Sequence, residues 1–193
     1  NDIPVNRLFD SELEQRFIEA VRAKAGIGNV SDTICNGKHG YFVKLGDISW
    51  EIEPQVSLGT RDGLSVPCKP DFVFWPKHAQ NHRPVAVFTD GFLYHKDIVA
   101  GDTLKREAIR RSGKFRVWTL SYKDVQSVFA PQGDYYTETL DACSMPFGKK
   151  MYPDIISQCK ANSVEPAKLS SFDLLFAYLK LPDAESVFAA QAY

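Results

Sequence analysis

Apolar residues recur at helical spacing near both ends of the chain and gather into strand-length runs between them. Leu13, Phe17 and Val21 fall one helical turn apart and make a single apolar stripe. This predicts an amphipathic helix that starts at Asp10-Ser11 and stops at Gly26 and Gly28. Residues 29–40 show neither period and read as a polar loop. Residues 41–45 and 48–56 read as two strands joined by the short turn Gly46-Asp47, a hairpin. GTRDG is a loop, 70–75 a strand, 76–83 a polar loop and 85–89 a buried apolar strand. A helix follows over 102–112, closed by Gly113, then a strand over 115–120 and a short helix over 122–129. From Pro131 to Pro166 no period is clear. Residues 171–181 (SFDLLFAYLKL) form an amphipathic helix capped by Ser170 or Ser171, and Pro182 opens a last helix over DAESVFAAQA.

Helix, a run of strands, helix, strand, helix is the order of an α/β sandwich, a mixed sheet flanked by helices. Residues 1–130 are expected to form this core, and 131–193 a helical extension packed on it. With 193 residues, 44% of them hydrophobic, the chain can bury one core of ordinary size. No apolar run is long enough to span a bilayer, so no membrane partner is expected. NDIPVNRLFD lacks the basic start and apolar centre of a signal peptide, and the absence of a leading Met suggests a piece of a longer polypeptide. Four cysteines with no CxxC spacing argue against a zinc ribbon. With nothing pointing to secretion, they read as free thiols of a cytoplasmic protein. A net charge of −1 excludes the broad basic surface of an autonomous high-affinity DNA binder, so any nucleic-acid contact is local or supplied by a larger protein.

The candidate chemistry gathers between Pro67 and Trp118. Asp71 opens a strand after Pro70, where a carboxylate can hold Mg²⁺ as a hard oxygen ligand or simply cap a turn. Thr89-Asp90-Gly91 ends the next strand. Asp90 and the Thr89 carbonyl are candidate metal ligands, and an Asp-Gly turn is the plainer alternative. His95 is placed to act as a general base near neutral pH, with Lys96 beside it to move a proton or stabilise negative charge, although a lone histidine is as readily structural. Glu14 fits a capping box with Ser11 and equally a carboxylate reaching the same cleft. Asp102 and Arg106 are spaced as a helical ion pair. Lys105, Arg106, Arg110 and Arg111, extended by Lys114 and Arg116, form either a solvated basic face or a set of phosphate contacts. Glu51 and Glu53 alternate with Trp50, Ile52 and Pro54 and read as solvent-facing, with a role in the site as the alternative, and Gln55 is alike. A cleft of such acids and bases suits phosphodiester hydrolysis, and the lack of a glycine-rich phosphate loop counts against a hydrolase of small phosphates.

Taken in order, LEQRF, PCKPDFVF, VAVFTDGFLYH and GKFRVWTL resemble the restriction-endonuclease-like, or PD-(D/E)xK, superfamily. Within it the chain is most similar to the very-short-patch-repair endonucleases and their relatives, over about residues 8–125. The resemblance implies that Asp71 and the Thr89 backbone bind Mg²⁺ (or Mn²⁺), that His95 activates or orients water, and that Glu14 supports a metal-bound water. The superfamily's third motif carries an acid and a lysine; those places are Phe88 and Asp90 here. The nearest family also lacks that lysine, but it has a histidine at Asp90, a tryptophan at Tyr94 and a structural zinc site with no counterpart in this chain. A related subgroup with the pattern DG…H…D…R matches Asp90, Gly91, His95, Asp102 and Arg106. WEIEPQV, RSGKFRVWTL and SSFDLLFAYL also resemble the nuclease-like C-terminal domain of large bacterial DEAD/DEAH-box helicases. Together these imply a metal-dependent DNA endonuclease domain in DNA repair or phage defence, with a helicase in the same polypeptide holding the DNA. The other expectation is a degenerate nuclease-fold module that binds DNA or docks a partner.

Overall fold

Six strands pair in the order in which they occur along the chain, so the sheet is built almost entirely from local connections. The computed structural model describes residues 12–77, 81–90, 96–129 and 170–184, with the backbone alone at 90, 96–102 and 184. The elements are α1 (Glu12–Ala25), β1 (Val30–Cys35), β2 (Lys38–Leu45), β3 (Ile48–Pro54), β4 (Phe72–Lys77), β5 (Val85–Asp90), α2 (Lys96–Ser112), β6 (Arg116–Ser121), α3 (Tyr122–Gln126) and α4 (Ser171–Lys180). Strands β1 to β5 run antiparallel to their neighbours, and β6 lies parallel to β5. A parallel pair needs a crossover connection, which α2 supplies. The mixed α/β sheet flanked by helices expected from the sequence is what forms.

Residues 29–40 are not a loop: 30–35 form an edge strand in register with β2, Val30 opposite Val43 and Cys35 opposite Lys38. The turn between them is Asn36-Gly37, both at positive φ (50° and 79°), the backbone that a two-residue hairpin of this twist demands. At the other boundary β4 runs on through Pro76, which lies opposite Trp50. Strand β5 pairs only with Phe72–Phe74, so beyond Phe74 β4 has a single neighbour and tolerates a proline. Helix α2 starts at Lys96 rather than at 102.

Both faces of the sheet are covered, which is why β4 and β5 read as unbroken apolar runs. On one face Phe17 of α1 packs on Phe72 and Phe74, with ring centroids 4.6 and 6.2 Å away. Phe17 is fully buried, an arrangement worth about 3–5 kcal/mol if truncated to alanine. On the other face Val73 and Ala86 join Ile109 of α2, Phe115, and Val56, Leu58, Leu64 and Cys68 of the loop between β3 and β4.

The chain divides into two compact units, Asn1–Val125 and Gln126–Tyr193. In the second, Ser170 caps α4 by accepting from the Asp173 N–H (2.9 Å), and Phe172 and Phe176 stack one turn apart. Pro182 opens a 3₁₀ turn, Pro182–Ala184; the rest of the expected last helix and residues 131–166 lie outside the described residues.

Candidate functional site

Register along β4 and β5 brings Asp71 to Thr89. With Phe72 opposite Val87, the residue before β4 comes level with the end of β5. The Asp71 carboxylate Oδ2 accepts from the Thr89 N–H (2.6 Å) and the Thr89 hydroxyl (3.0 Å), which fixes its orientation. One step past β3, the Gln55 N–H donates to the Asp71 carbonyl (2.8 Å). The Gln55 side chain reaches α1, where its Nε2 donates to Glu14 Oε2 (2.8 Å). Glu14 is 3% exposed, a depth at which a carboxylate needs hydrogen-bond donors. Two acids distant in sequence are thus tied to one residue. Ser11, the other half of the expected capping box, lies outside the described residues.

Hard oxygen donors of this kind fit Mg²⁺, which usually takes one or two carboxylates and keeps several waters. Among the described residues no group of three His, Cys, Asp or Glu side chains forms a metal-binding cluster. The backbone of Asp90 continues β5 directly after Thr89, and Lys96 begins α2. The side chains of Asp90, Lys96 and Asp102, and all of His95, lie outside the described residues.

Glu53 is not solvent-facing. It is 4% exposed, and its Oε2 accepts from Trp75 Nε1 (2.9 Å) and Asn36 Nδ2 (2.7 Å). Glu51 on the same strand face is half-buried and pairs with Lys77 (2.6 Å). Burial, then the charges of Glu51 and Glu53, push the Cys35 thiol up to about 11. Burial likewise raises Cys68 to about 11. Both cysteines are free, as expected of them, and Cys143 and Cys159 lie outside the described residues.

The basic residues of α2 are differently engaged. The Arg106 guanidinium sits 5.2 Å from the centre of the Phe88 ring, a cation–π arrangement at the strand that carries Thr89. Arg110 donates to Glu107 through Nε (2.7 Å) and Nη2 (2.9 Å), and Arg111 through Nε (2.7 Å). Those hydrogen bonds, from Arg110 first, hold the Glu107 carboxyl down at about 2. Lys105 is exposed, and the Lys114 stem lies over Gly63 at the 3₁₀ turn of the β3–β4 loop.

Of the residues predicted from sequence, the structure therefore brings together Asp71, Thr89 and, through Gln55, Glu14. Gln55, like Glu53 read first as a solvent-facing strand position, is partly buried and lies just past β3. Comparison with family models, with curated proteins and with solved structures finds no match.

Proposed function

We propose that this chain is a metal-dependent DNA endonuclease domain of the restriction-endonuclease-like class, working with a helicase module of the same polypeptide in DNA repair or phage defence. The observation that carries the reading is the linked pair of acids: Asp71 oriented by Thr89, and Glu14 tied to Asp71 through Gln55. The element order supports it too, since an acid-bearing helix, antiparallel strands, a helix and a parallel strand follow the pattern that the sequence motifs suggest.

In this reading Asp71, Asp90 and the Thr89 carbonyl hold Mg²⁺ or Mn²⁺. The ion, when bound, polarises the scissile phosphate and lowers the pKa of water. Thr89 keeps the Asp71 carboxylate aimed in one direction, so no reorientation is needed when substrate arrives. Glu14 orients water near the same carboxylate. His95 accepts the proton of the attacking water, and Lys96 stabilises the negative charge that develops. Lys105, Arg106, Arg110 and Arg111 position the DNA backbone through phosphates, which sets register without reading sequence.

The test is cleavage of supercoiled plasmid and labelled single-stranded DNA with Mg²⁺, Mn²⁺ or EDTA, beside an Asp71→Asn variant. Asparagine keeps an oxygen to accept from Thr89, so the fold should lose no more than about 1 kcal/mol while the charge is removed. Metal-dependent nicking that disappears in Asp71→Asn is the expected result. Cleavage that survives the substitution would overturn the site. The second reading, a nuclease-fold module that binds without cutting, is favoured by the motif lysine's absence at Asp90. It predicts DNA binding with no nicking under any of these conditions, including in the helicase-linked polypeptide.

A further inference from the structure

We propose that Gln55 is a positioning residue of this site, holding the Glu14 carboxylate in fixed relation to Asp71. The inference rests on the nuclease reading above. Gln55 has φ 54°, one of only two non-glycine residues at positive φ among the described residues. The other, Asn36, sits in a hairpin turn and is a residue type that tolerates this region; glutamine is not. Glycine would occupy the position without strain. A side chain kept where glycine fits better points to work done by that side chain, since disfavoured backbone collects at functional sites.

The conformation has a direct consequence. β3 ends at Pro54, and a left-handed residue next in line breaks the alternation that would otherwise send the side chain to a sheet face. The amide instead reaches α1 and donates to Glu14, while the backbone N–H of the same residue holds the Asp71 carbonyl. Helix α1 packs on β4 through Phe17 and Phe72, and within that packing Gln55 makes a short bond to each acid's residue, its side chain to the Glu14 carboxylate and its backbone N–H to the Asp71 carbonyl. The partly buried amide donates to Glu14 Oε2 and so orients the carboxylate that, in this reading, holds a water beside the metal, as outer-shell residues commonly do.

The test uses the full chain with Gln55→Gly and Gln55→Met, reading both the melting temperature without metal and its rise with Mn²⁺, beside Asp71→Asn and Glu14→Gln. Gly removes the side chain and relieves the backbone; Met keeps the length and deletes the donor. Both are expected to melt within a few degrees of the parent, with Gly no lower, yet to need about 10–100-fold more Mn²⁺ for the same stabilisation. Combining Glu14→Gln with Gln55→Gly should add no further loss, because the two act through one contact. Unchanged Mn²⁺ response in both Gln55 variants, with the response lost in Asp71→Asn, would overturn the role of Gln55 and leave the nuclease reading standing. Early melting of both variants without metal would reduce Gln55 to a structural tether and equally overturn it. No Mn²⁺ response in the parent chain would instead defeat the metal site, and this inference with it.

Discussion

A β-carbon added at Gly40 would lie 2.6 Å from both the Ile52 carbonyl oxygen and the Cys35 sulfur. Neither neighbour can move cheaply: one is backbone in the adjacent strand, and the other is a buried side chain whose thiol approaches that same carbonyl (3.8 Å). Gly40→Ala should therefore destabilise the first unit by about 1–3 kcal/mol, the usual cost of overpacking, seen as a lower denaturant midpoint with an unchanged slope. A midpoint within error of the parent would mean that β1 peels away at no cost. Single residues also mark where sequence reading fails. Glu53 was legible as one face of a strand, but that face is covered, and only the partners Trp75 and Asn36 explain how a carboxylate is kept there. Gln55 gave no sign of its backbone conformation, because a left-handed glutamine follows from packing around it and not from its own preference.

Elements were more legible where both faces of the sheet are buried. The apolar runs of β4 and β5 and the turn at Gly46-Asp47 needed no tertiary information, whereas β1 did. Its run VSDTIC buries only Cys35, so no alternation betrays it, and the Asn36-Gly37 pair that follows was the one available sign. Helix α2 poses an element-scale question of its own. Its last turn is strongly basic, yet Glu107 ties down both Arg110 and Arg111. Because the Glu107 pKa is depressed from 4.5 to about 2, the pairing is present above its ordinary value and is lost only as pH falls through about 2; at neutral pH the arginines stay partnered. Pairs this exposed contribute little to stability. In the nuclease reading proposed above their effect on DNA should be larger, since phosphates would have to compete with Glu107. Glu107→Gln is expected to tighten DNA binding at low salt and to steepen the dependence of log affinity on log salt by about 1–2, one increment per arginine released to a phosphate. An unchanged slope would remove Arg110 and Arg111 from the DNA-contacting set.

At the scale of the whole molecule, the division at Val125 separates a unit that holds every strand among the described residues, and every candidate site residue, from one that holds α4. The core residues on both faces of the sheet, from Phe17 and Phe72 to Ile109 and Phe115, all belong to the first unit. A segment that holds its own buried core is one that can fold alone. All three tryptophans, Trp50, Trp75 and Trp118, lie in that unit, with Trp50 wholly buried, so tryptophan fluorescence reports on it. Residues 1–129 alone should then unfold in one transition with the same tryptophan midpoint as the full chain. Far-ultraviolet circular dichroism of the full chain should show in addition the signal of α4, with the larger denaturant slope that more buried surface brings. If Mn²⁺ stabilises the full chain, it should raise the midpoint of the fragment by the same amount, because Glu14, Gln55, Asp71 and Thr89 are all retained. A fragment whose tryptophan midpoint falls well below that of the full chain would show that residues beyond 129 complete the first unit's core. An intact midpoint with a lost Mn²⁺ response would show that they contribute to the site instead.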